Sequence, residues 1–177
     1  MRGLVLITGI QAAGKSTVAQ LVAEALPRSV HVPGDVFRRM VVGGRADMVP
    51  DPPAEALRQL RLRYRLAAMV ADEYCAAGFT TILQDVILGP ALDEMINLIK
   101  TTPLYVVVLA PRPDVVAARE AARGTSAYDD WSVRMLDDSL RTETPRAGLW
   151  LDTSEQTPAE TAAEIVRGVW TEGAIGQ

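Results

Sequence analysis

The residues best suited to chemistry lie together near the start of the chain, in Gly9–Ser16, which reads GIQAAGKS. Its two glycines let the backbone make turns that a Cβ would block, and the amides of such a loop form a concave site for anions. A helix that begins near Lys15 adds the N–H groups of its first turn and the positive end of its dipole. The chemistry that fits is the binding of a polyphosphate, with Lys15 at the outer phosphates and the Ser16 hydroxyl on Mg²⁺.

The residues on either side give this loop the context that it requires. An apolar run, Leu4–Thr8, precedes it and a helix-like segment follows it, which is the setting expected of a P-loop, or Walker A motif. The alternative is a glycine-containing turn with an exposed lysine, but this combination of residues arises by chance in roughly one chain of this size in a hundred. We therefore predict that ATP is bound by Gly9, Gln11, Ala12, Ala13, Gly14, Lys15, Ser16 and Thr17.

Two carboxylates follow apolar runs that are typical of strands, Asp35 after Val30–Pro33 and Asp85 after Thr80–Leu83 and one glutamine. Ligands of an open parallel sheet bind beyond the carboxyl ends of its strands. Asp35 is placed to take the proton of a substrate hydroxyl that attacks the γ-phosphate; the alternative is that it only caps the helix that follows, and the two roles are compatible. Asp85 is predicted to organise Mg²⁺ or to bind substrate, with a turn-initiating aspartate as the alternative. Arg38 is a further candidate for substrate contact, or else a solvated surface arginine.

A cluster of arginines follows the fourth apolar run. Arg119 and Arg123 are one helical turn apart and share a face, and Gly124 then interrupts the helix. Phosphoryl transfer uses mobile arginines that reach the γ-phosphate while a closed lid excludes water. We predict that Arg123 and Arg119 have this catalytic role, ahead of Arg112, in a lid region of about residues 112–141. The alternative is a solvated arginine face, with Arg123 paired to Glu120.

Strand and helix patterns alternate along the chain, which predicts one α/β domain over residues 1–177 with a five-stranded parallel sheet and helices on both faces. The predicted strands are Leu4–Thr8, Val30–Pro33, Thr80–Leu83, Leu104–Leu109 and Leu149–Leu151. The predicted helices are Ser16–Leu26, Val36–Val42, Ala54–Ala77, Pro90–Ile99, Asp114–Ala122, Trp131–Thr142 and Pro158–Thr171.

Some boundaries have local signals. Gly78 fits the position just past a helix end, and Thr157-Pro158 with Glu160 fits a helix start. The helix Ala54–Ala77 has apolar residues on more than one face, so it is either central core or a contact in a homo-oligomer.

The composition excludes several classes of partner. The chain has 177 residues, a formal net charge of −4 and a pI near 5.1, without the basic patch of a nucleic-acid-binding protein. Its single cysteine, Cys75, excludes an intramolecular disulfide and a cysteine metal cluster. No apolar run approaches the ~18 residues of a membrane span, and the first strand begins too early for a signal peptide. We therefore expect a cytoplasmic protein with no nucleic-acid or membrane partner.

With these motifs together, the chain resembles the small P-loop kinases, and among them the chloramphenicol phosphotransferase-like family. The resemblance rests on Ala12–Ser16, Gly34-Asp35, Leu83–Gly89 and Arg119–Gly124. It implies a P-loop NTPase fold with a helical lid, and transfer of the γ-phosphate of ATP, with Mg²⁺, to the hydroxyl of a small molecule. The family's catalytic carboxylate matches Asp35, and its lid arginine region matches Arg119–Arg123. The acceptor that the resemblance suggests is an antibiotic, of the chloramphenicol or nucleoside type.

Two alternatives stay open. The acceptor is instead a metabolite such as gluconate, shikimate or a nucleotide, because the residues that bind it are unassigned. A nucleotide-dependent switch is the hypothesis of a different class, although the chain has no Asn-Lys-x-Asp motif for guanine.

Overall fold

The computed structural model describes residues 2–122 and 130–176, and it places five parallel strands in one sheet. The strands are β1 (Leu4–Gly9), β2 (Ser29–Pro33), β3 (Thr80–Gln84), β4 (Leu104–Leu109) and β5 (Leu149–Leu151). Their order in the sheet is β2-β3-β1-β4-β5. Within the sheet, Ile7 of β1 lies opposite Gln84 of β3, and Pro33 of β2 lies opposite the same residue. The predicted parallel α/β fold is confirmed, and β1, β3 and β2 end at one edge of the sheet.

The helices fall close to where the sequence predicts them. They are α1 (Lys15–Glu24), α2 (Asp35–Arg39), α3 (Ala54–Ala76), α4 (Ala91–Leu98), α5 (Pro113–Ala122), α6 (Asp130–Asp138) and α7 (Pro158–Glu172). The predicted helix Trp131–Thr142 is not one regular α-helix, because a π-helical turn, Ser139–Glu143, follows α6. Short π-helical segments often occur near functional sites.

The core lies on both faces of the sheet. Every residue of β1 and β3 is buried, and β4 is buried except for Tyr105. Strands covered on both faces carry continuous apolar runs, as β4 does in VVVL. Helix α1 packs beside α7, and α3 packs beside α4. The sheet therefore holds the loops after its strands on a rigid base.

The predicted helix boundaries have the expected local structure. Gly78 follows α3 with a φ of +86°, and the N–H groups of Gly78 and Phe79 donate to the carbonyls of Cys75 and Tyr74, which is a Schellman motif. At the start of α7, Thr157 and Glu160 form a capping box, with Pro158 at the first helical position.

Helix α3 contributes to the core through one face. Tyr64, Ala67, Ala68 and Ala71 are buried there, whereas Met69 is 63% exposed on the other side. The homo-oligomer stays a prediction. Among the described residues, no helix combines the length and the apolar character needed to cross a membrane.

Candidate functional site

The loop between β1 and α1 has the backbone of an anion-binding concavity. Gly9, Ala12 and Gly14 have positive φ angles of 145°, 58° and 93°. A Cβ at Gly9 would overlap the carbonyl oxygen of Leu109, so only glycine allows β1 to end this close to β4. Backbone turns of this kind direct successive amides towards one side of the loop.

The first turn of α1 faces this loop without competing acids. Gly14 is the N-cap, no side chain caps the helix, and the first turn contains no acidic residue. Lys15 is only 7% exposed, and its Nζ donates to the carbonyl of Ile10 at 2.7 Å. Ser16 and Thr17 are exposed. A helix start of this kind favours a bound anion through its N–H groups and its dipole, so the loop fits the phosphates of a nucleotide.

The end of β1 is joined to the segment that follows β3. The buried Thr8 hydroxyl donates to the carbonyl of Ile87 at 2.7 Å and accepts the Ile87 N–H at 3.0 Å. The Gly34 N–H, at the end of β2, donates to the carbonyl of Gln84 at 2.9 Å. These bonds bring the phosphate-binding loop and the residues after β2 and β3 to the same edge of the sheet, where Asp35 and Asp85 follow their strands.

Asp85 is buried and paired. Its carboxylate accepts from Nε of Arg63 at 2.6 Å, from Nη2 of the same arginine, and from the Val86 N–H at 2.7 Å. It is 2% exposed, and the Arg63 side chain is 13% exposed. The prediction that Asp85 binds Mg²⁺ or substrate stays a prediction. Both carboxylate oxygens are already engaged, so either role would require Asp85 to exchange contacts that it makes with Arg63.

Sequence reasoning missed Arg63, although the sequence contains a signal for it. Ala56, Tyr64, Ala67 and Ala71 are buried residues of α3. Arg63 lies seven residues after Ala56 and four before Ala67, so it falls on the buried side of the helix. A charged residue at such a position is almost never buried unless it is paired, and here its partner is Asp85.

The prediction that Asp35 caps α2 is wrong. Gly34 is the N-cap, and no side chain caps the helix. The Asp35 carboxylate is directed instead to three arginines. Its Oδ1 accepts from Nε of Arg38 at 2.9 Å and lies 4.0 Å from Nη1 of Arg63, while its Oδ2 lies 3.2 Å from Nε of Arg39.

These arginines set the charge of Asp35. Burial raises the pKa of the Asp35 carboxyl, but the hydrogen bond from Arg38 and the charges of Arg38, Arg63 and Arg39 outweigh it and hold the pKa below its ordinary value. Because its pKa is lowered, Asp35 is ionised at neutral pH. Its side chain is 44% exposed and therefore accessible. Arg38 also donates to Asp47 at 2.7 Å, which ties the segment after α2 to this site.

The lid arginines are only partly described. Nη2 of Arg119 donates to the carbonyl of Thr153 at 2.9 Å, which places it beside the turn between β5 and α7. Arg112 donates to Glu155 in the same region at 2.7 Å. Arg123 lies outside the described residues, so its predicted role is untested.

The donor set for Mg²⁺ is small. Within residues 2–122 and 130–176, no three His, Cys, Asp or Glu side chains form a group suited to a metal ion. Mg²⁺ typically binds through one or two protein oxygens, with water and substrate phosphates completing its octahedron. The exposed Ser16 hydroxyl, at the start of α1, fits that kind of site.

Known structures share this fold. An unliganded sugar kinase from Janibacter sp. HTCC2649 is 18% identical with a TM-score of 0.71, and the match covers 94% of each chain. The tunicamycin resistance protein of Deinococcus radiodurans is 16% identical with a TM-score of 0.70 over 100% of each chain. A gluconokinase from Sinorhizobium meliloti 1021 is 19% identical with a TM-score of 0.65, over 98% of this chain and 95% of the gluconokinase. These likenesses show that the fold is shared.

No curated protein matches the chain significantly in sequence. A family model described as an AAA domain, AAA_33, matches residues 4–145, which include the phosphate-binding loop, Asp35, Asp85 and the whole predicted lid region. The chain therefore belongs to the AAA_33 family of AAA domains.

Proposed function

We propose that the chain is a kinase that transfers the γ-phosphate of ATP to a hydroxyl group of a small molecule. The observation that carries this proposal is the shared edge of the sheet. There, the glycine-rich loop leads into the start of α1, which has no side-chain cap. Beside it lie the ends of β2 and β3, and Asp35, after β2, presents an ionised, accessible carboxylate. Phosphoryl transfer needs mainly positioning and charge stabilisation, and this edge provides groups for both.

Each side chain has a defined part in this proposal. Bound Mg-ATP supplies the transferable phosphoryl group, with the metal offsetting charge on the phosphate oxygens. The amides of the loop and Lys15 hold the phosphates, and Ser16 holds the metal. Asp35 accepts the proton of the acceptor hydroxyl at a carboxylate oxygen as that hydroxyl attacks. Arg119 and Arg123 offset the negative charge that develops on the transferring group.

The acceptor lies, in this proposal, between Asp35 and the lid. Arg38 is placed to contact it because it is one helical turn from Asp35 and already touches the carboxylate. An antibiotic is the first acceptor class to test, because of the family resemblance and because a tunicamycin resistance protein has the same fold. Gluconate belongs in the same screen, since a gluconokinase also has this fold.

Two measurements test the proposal. Calorimetry with Mg-ATP should give a binding heat for the wild-type chain and a strongly reduced one for Lys15→Ala. A screen with labelled ATP against antibiotics, nucleosides and sugar acids should then identify an acceptor. With that acceptor, Asp35→Asn should lower turnover by about 10²–10⁴-fold, the usual contribution of a general base.

The matched control is Asp93→Asn, the same change at an exposed aspartate of α4, which should leave turnover unchanged. The absence of any Mg-ATP binding would exclude the kinase. Hydrolysis of ATP that no acceptor stimulates would favour the switch hypothesis instead.

A further inference from the structure

Arg63 differs from the other two arginines near Asp35 in how firmly it is held. The side chains of Arg38 and Arg39 are 38% and 62% exposed, on the same short helix as Asp35, whereas Arg63 is 13% exposed and comes from α3. Exposed arginines keep much of their rotamer freedom and their contact with water. Arg63 is therefore the cation whose position near Asp35 is fixed by the fold.

Two adjacent residues of α3 fix that position. Nε and Nη2 of Arg63 bind the two oxygens of Asp85, and the Tyr64 hydroxyl donates to the carbonyl of Val86 at 2.8 Å. The Asp85 carboxylate is oriented in turn by the Val86 N–H. A guanidinium that binds a carboxylate through two nitrogens has a defined plane. Its remaining nitrogen, Nη1, is directed towards Asp35 at 4.0 Å.

The acceptor shares Asp35 with two exposed arginines. Arg38 contacts one oxygen of this carboxylate and Arg39 the other, and either side chain can turn away from Asp35 towards the acceptor. Each such movement removes a positive charge that keeps Asp35 ionised. Arg63 does not have to move, because its hydrogen bonds are made with Asp85.

We propose that Arg63, anchored by Asp85, is a positioning residue that holds Asp35 ionised and oriented while Arg38 and Arg39 rearrange towards the acceptor. The role of Asp85 is then to place Arg63. This inference rests on the proposed function, in which Asp35 is the base. The effect of Arg63 on the charge of Asp35 can nevertheless be tested without measuring enzyme turnover.

The charged groups around Asp35 give a directional test. Arg38 and Arg39 face it from α2 and Arg63 faces it from α3; behind them, Asp47 pairs with Arg38 and Asp85 pairs with Arg63. Arg63 stabilises the ionised carboxylate of Asp35, and Asp85 offsets part of the Arg63 charge. Neutralising Arg63 and neutralising Asp85 should therefore shift the titration midpoint of Asp35 in opposite directions.

The experiment is a pH titration of the aspartate side-chain carboxyl groups by ¹³C NMR in the full chain, with the Asp35 signal assigned by its loss in Asp35→Asn. In Arg63→Gln the Asp35 midpoint should rise by about half a pH unit or more, as expected for the loss of a charge about 4 Å away. In Asp85→Asn the midpoint should fall. Arg58→Gln, an exposed arginine of the same helix that pairs with Glu55, should leave it unchanged.

A purely structural role for Arg63 would lower thermal stability in Arg63→Gln and leave the Asp35 midpoint where it was, and that result overturns the inference. A shift in the same direction in both variants also overturns it. If Arg63→Gln does not fold, Arg63→Lys is the variant to use, because it keeps the positive charge. Its Asp35 midpoint should stay near that of the wild type. A rise of about half a pH unit or more, the size expected for loss of the charge, would contradict the proposal. Failure of the proposed function is a separate result, because it appears as absent Mg-ATP binding with the midpoint shifts retained.

Discussion

A single added methyl group at Gly34 tests the packing of this site. Gly34 has a φ of −60°, which alanine adopts without backbone strain, so any destabilisation by the change comes from contacts of the added methyl group. A Cβ there would lie 2.6 Å from Cγ and 3.1 Å from Cβ of Asp85, and it would overlap a carboxylate oxygen. The Asp85 carboxylate cannot simply turn away, because Arg63 and the Val86 N–H hold it.

Two routes can relieve the overlap, and the cheaper one sets the cost. Moving the carboxylate breaks a buried ion pair, which costs about 3–5 kcal/mol. Moving the end of β2 loses the hydrogen bond from Gly34 to Gln84, at about 0.5–1.5 kcal/mol, and adds overpacking strain of about 1–3 kcal/mol. We therefore expect Gly34→Ala to lower the free energy of unfolding by about 2–4 kcal/mol, or the melting temperature by about 4–16 °C.

The assay is urea unfolding followed by circular dichroism, with Gly43→Ala as the matched control. Gly43 lies in the neighbouring segment, and a Cβ there would meet no atom within 4 Å. The control should be neutral or stabilised by up to about 1 kcal/mol through the unfolded chain. A loss below about 0.5 kcal/mol for Gly34→Ala would refute the reasoning, because ordinary surface changes have effects of that size.

A second background isolates the contact. Asp85→Ala removes the carboxylate that the new methyl group would overlap. The additional cost of Gly34→Ala in that background should be smaller than in the wild type by about 1 kcal/mol or more, which a double-mutant cycle measures directly. Equal costs in the two backgrounds would mean that Gly34 is required for a reason other than its approach to Asp85.

Three further predictions concern stability. Ile87→Ala, at a fully buried position, should lower the free energy of unfolding by about 2–5 kcal/mol in urea titrations, whereas Ile87→Val should cost about 0.5–1.5 kcal/mol; equal losses would contradict the packing. Thr157→Ala removes the capping box of α7 and should cost about 0.5–2 kcal/mol in the same assay, with Thr157→Ser close to wild type. Burial lowers the pKa of His31, the one histidine of the chain. The unfolded chain therefore binds a proton at this histidine below about pH 6.5, whereas the folded state binds it only at a lower pH. Stability should therefore fall as the pH drops from 7 towards 5.5, and a His31→Gln variant with an unchanged slope would contradict this.

The local elements of this protein could be predicted because their causes are local. The strand Leu104–Leu109 is a continuous apolar run, and the end of α3 has a glycine where a positive φ is needed. The helix after residue 130 was predicted less well, since a π-helical turn depends on how the chain packs. The phosphate-binding loop was the clearest local feature, because its glycines, lysine and serine act through the backbone and side chains of one short segment.

The partners of the two aspartates could not be predicted in the same way. Asp35 has the sequence context of a helix cap, yet its carboxylate is directed to arginines from two helices. Asp85 has the context of a metal-organising acid, yet Arg63 engages both of its oxygens. Arginines are frequent in α3, and only the buried side of the helix distinguishes Arg63 from its neighbours.

The sequence alone determined that this chain folds as alternating strands and helices around a loop suited to phosphate, because hydrophobic periodicity, capping and glycine conformation act over a few residues. Tertiary structure alone decided which charges meet when they are distant along the chain, as residues 35, 63 and 85 are. The sheet order, with β2 beside β3 and α3 packed over that pair, brings Arg63 into contact with Asp85 and to 4.0 Å from Asp35. Coulombic interactions depend on distance in space and on burial, and neither follows from spacing in the sequence.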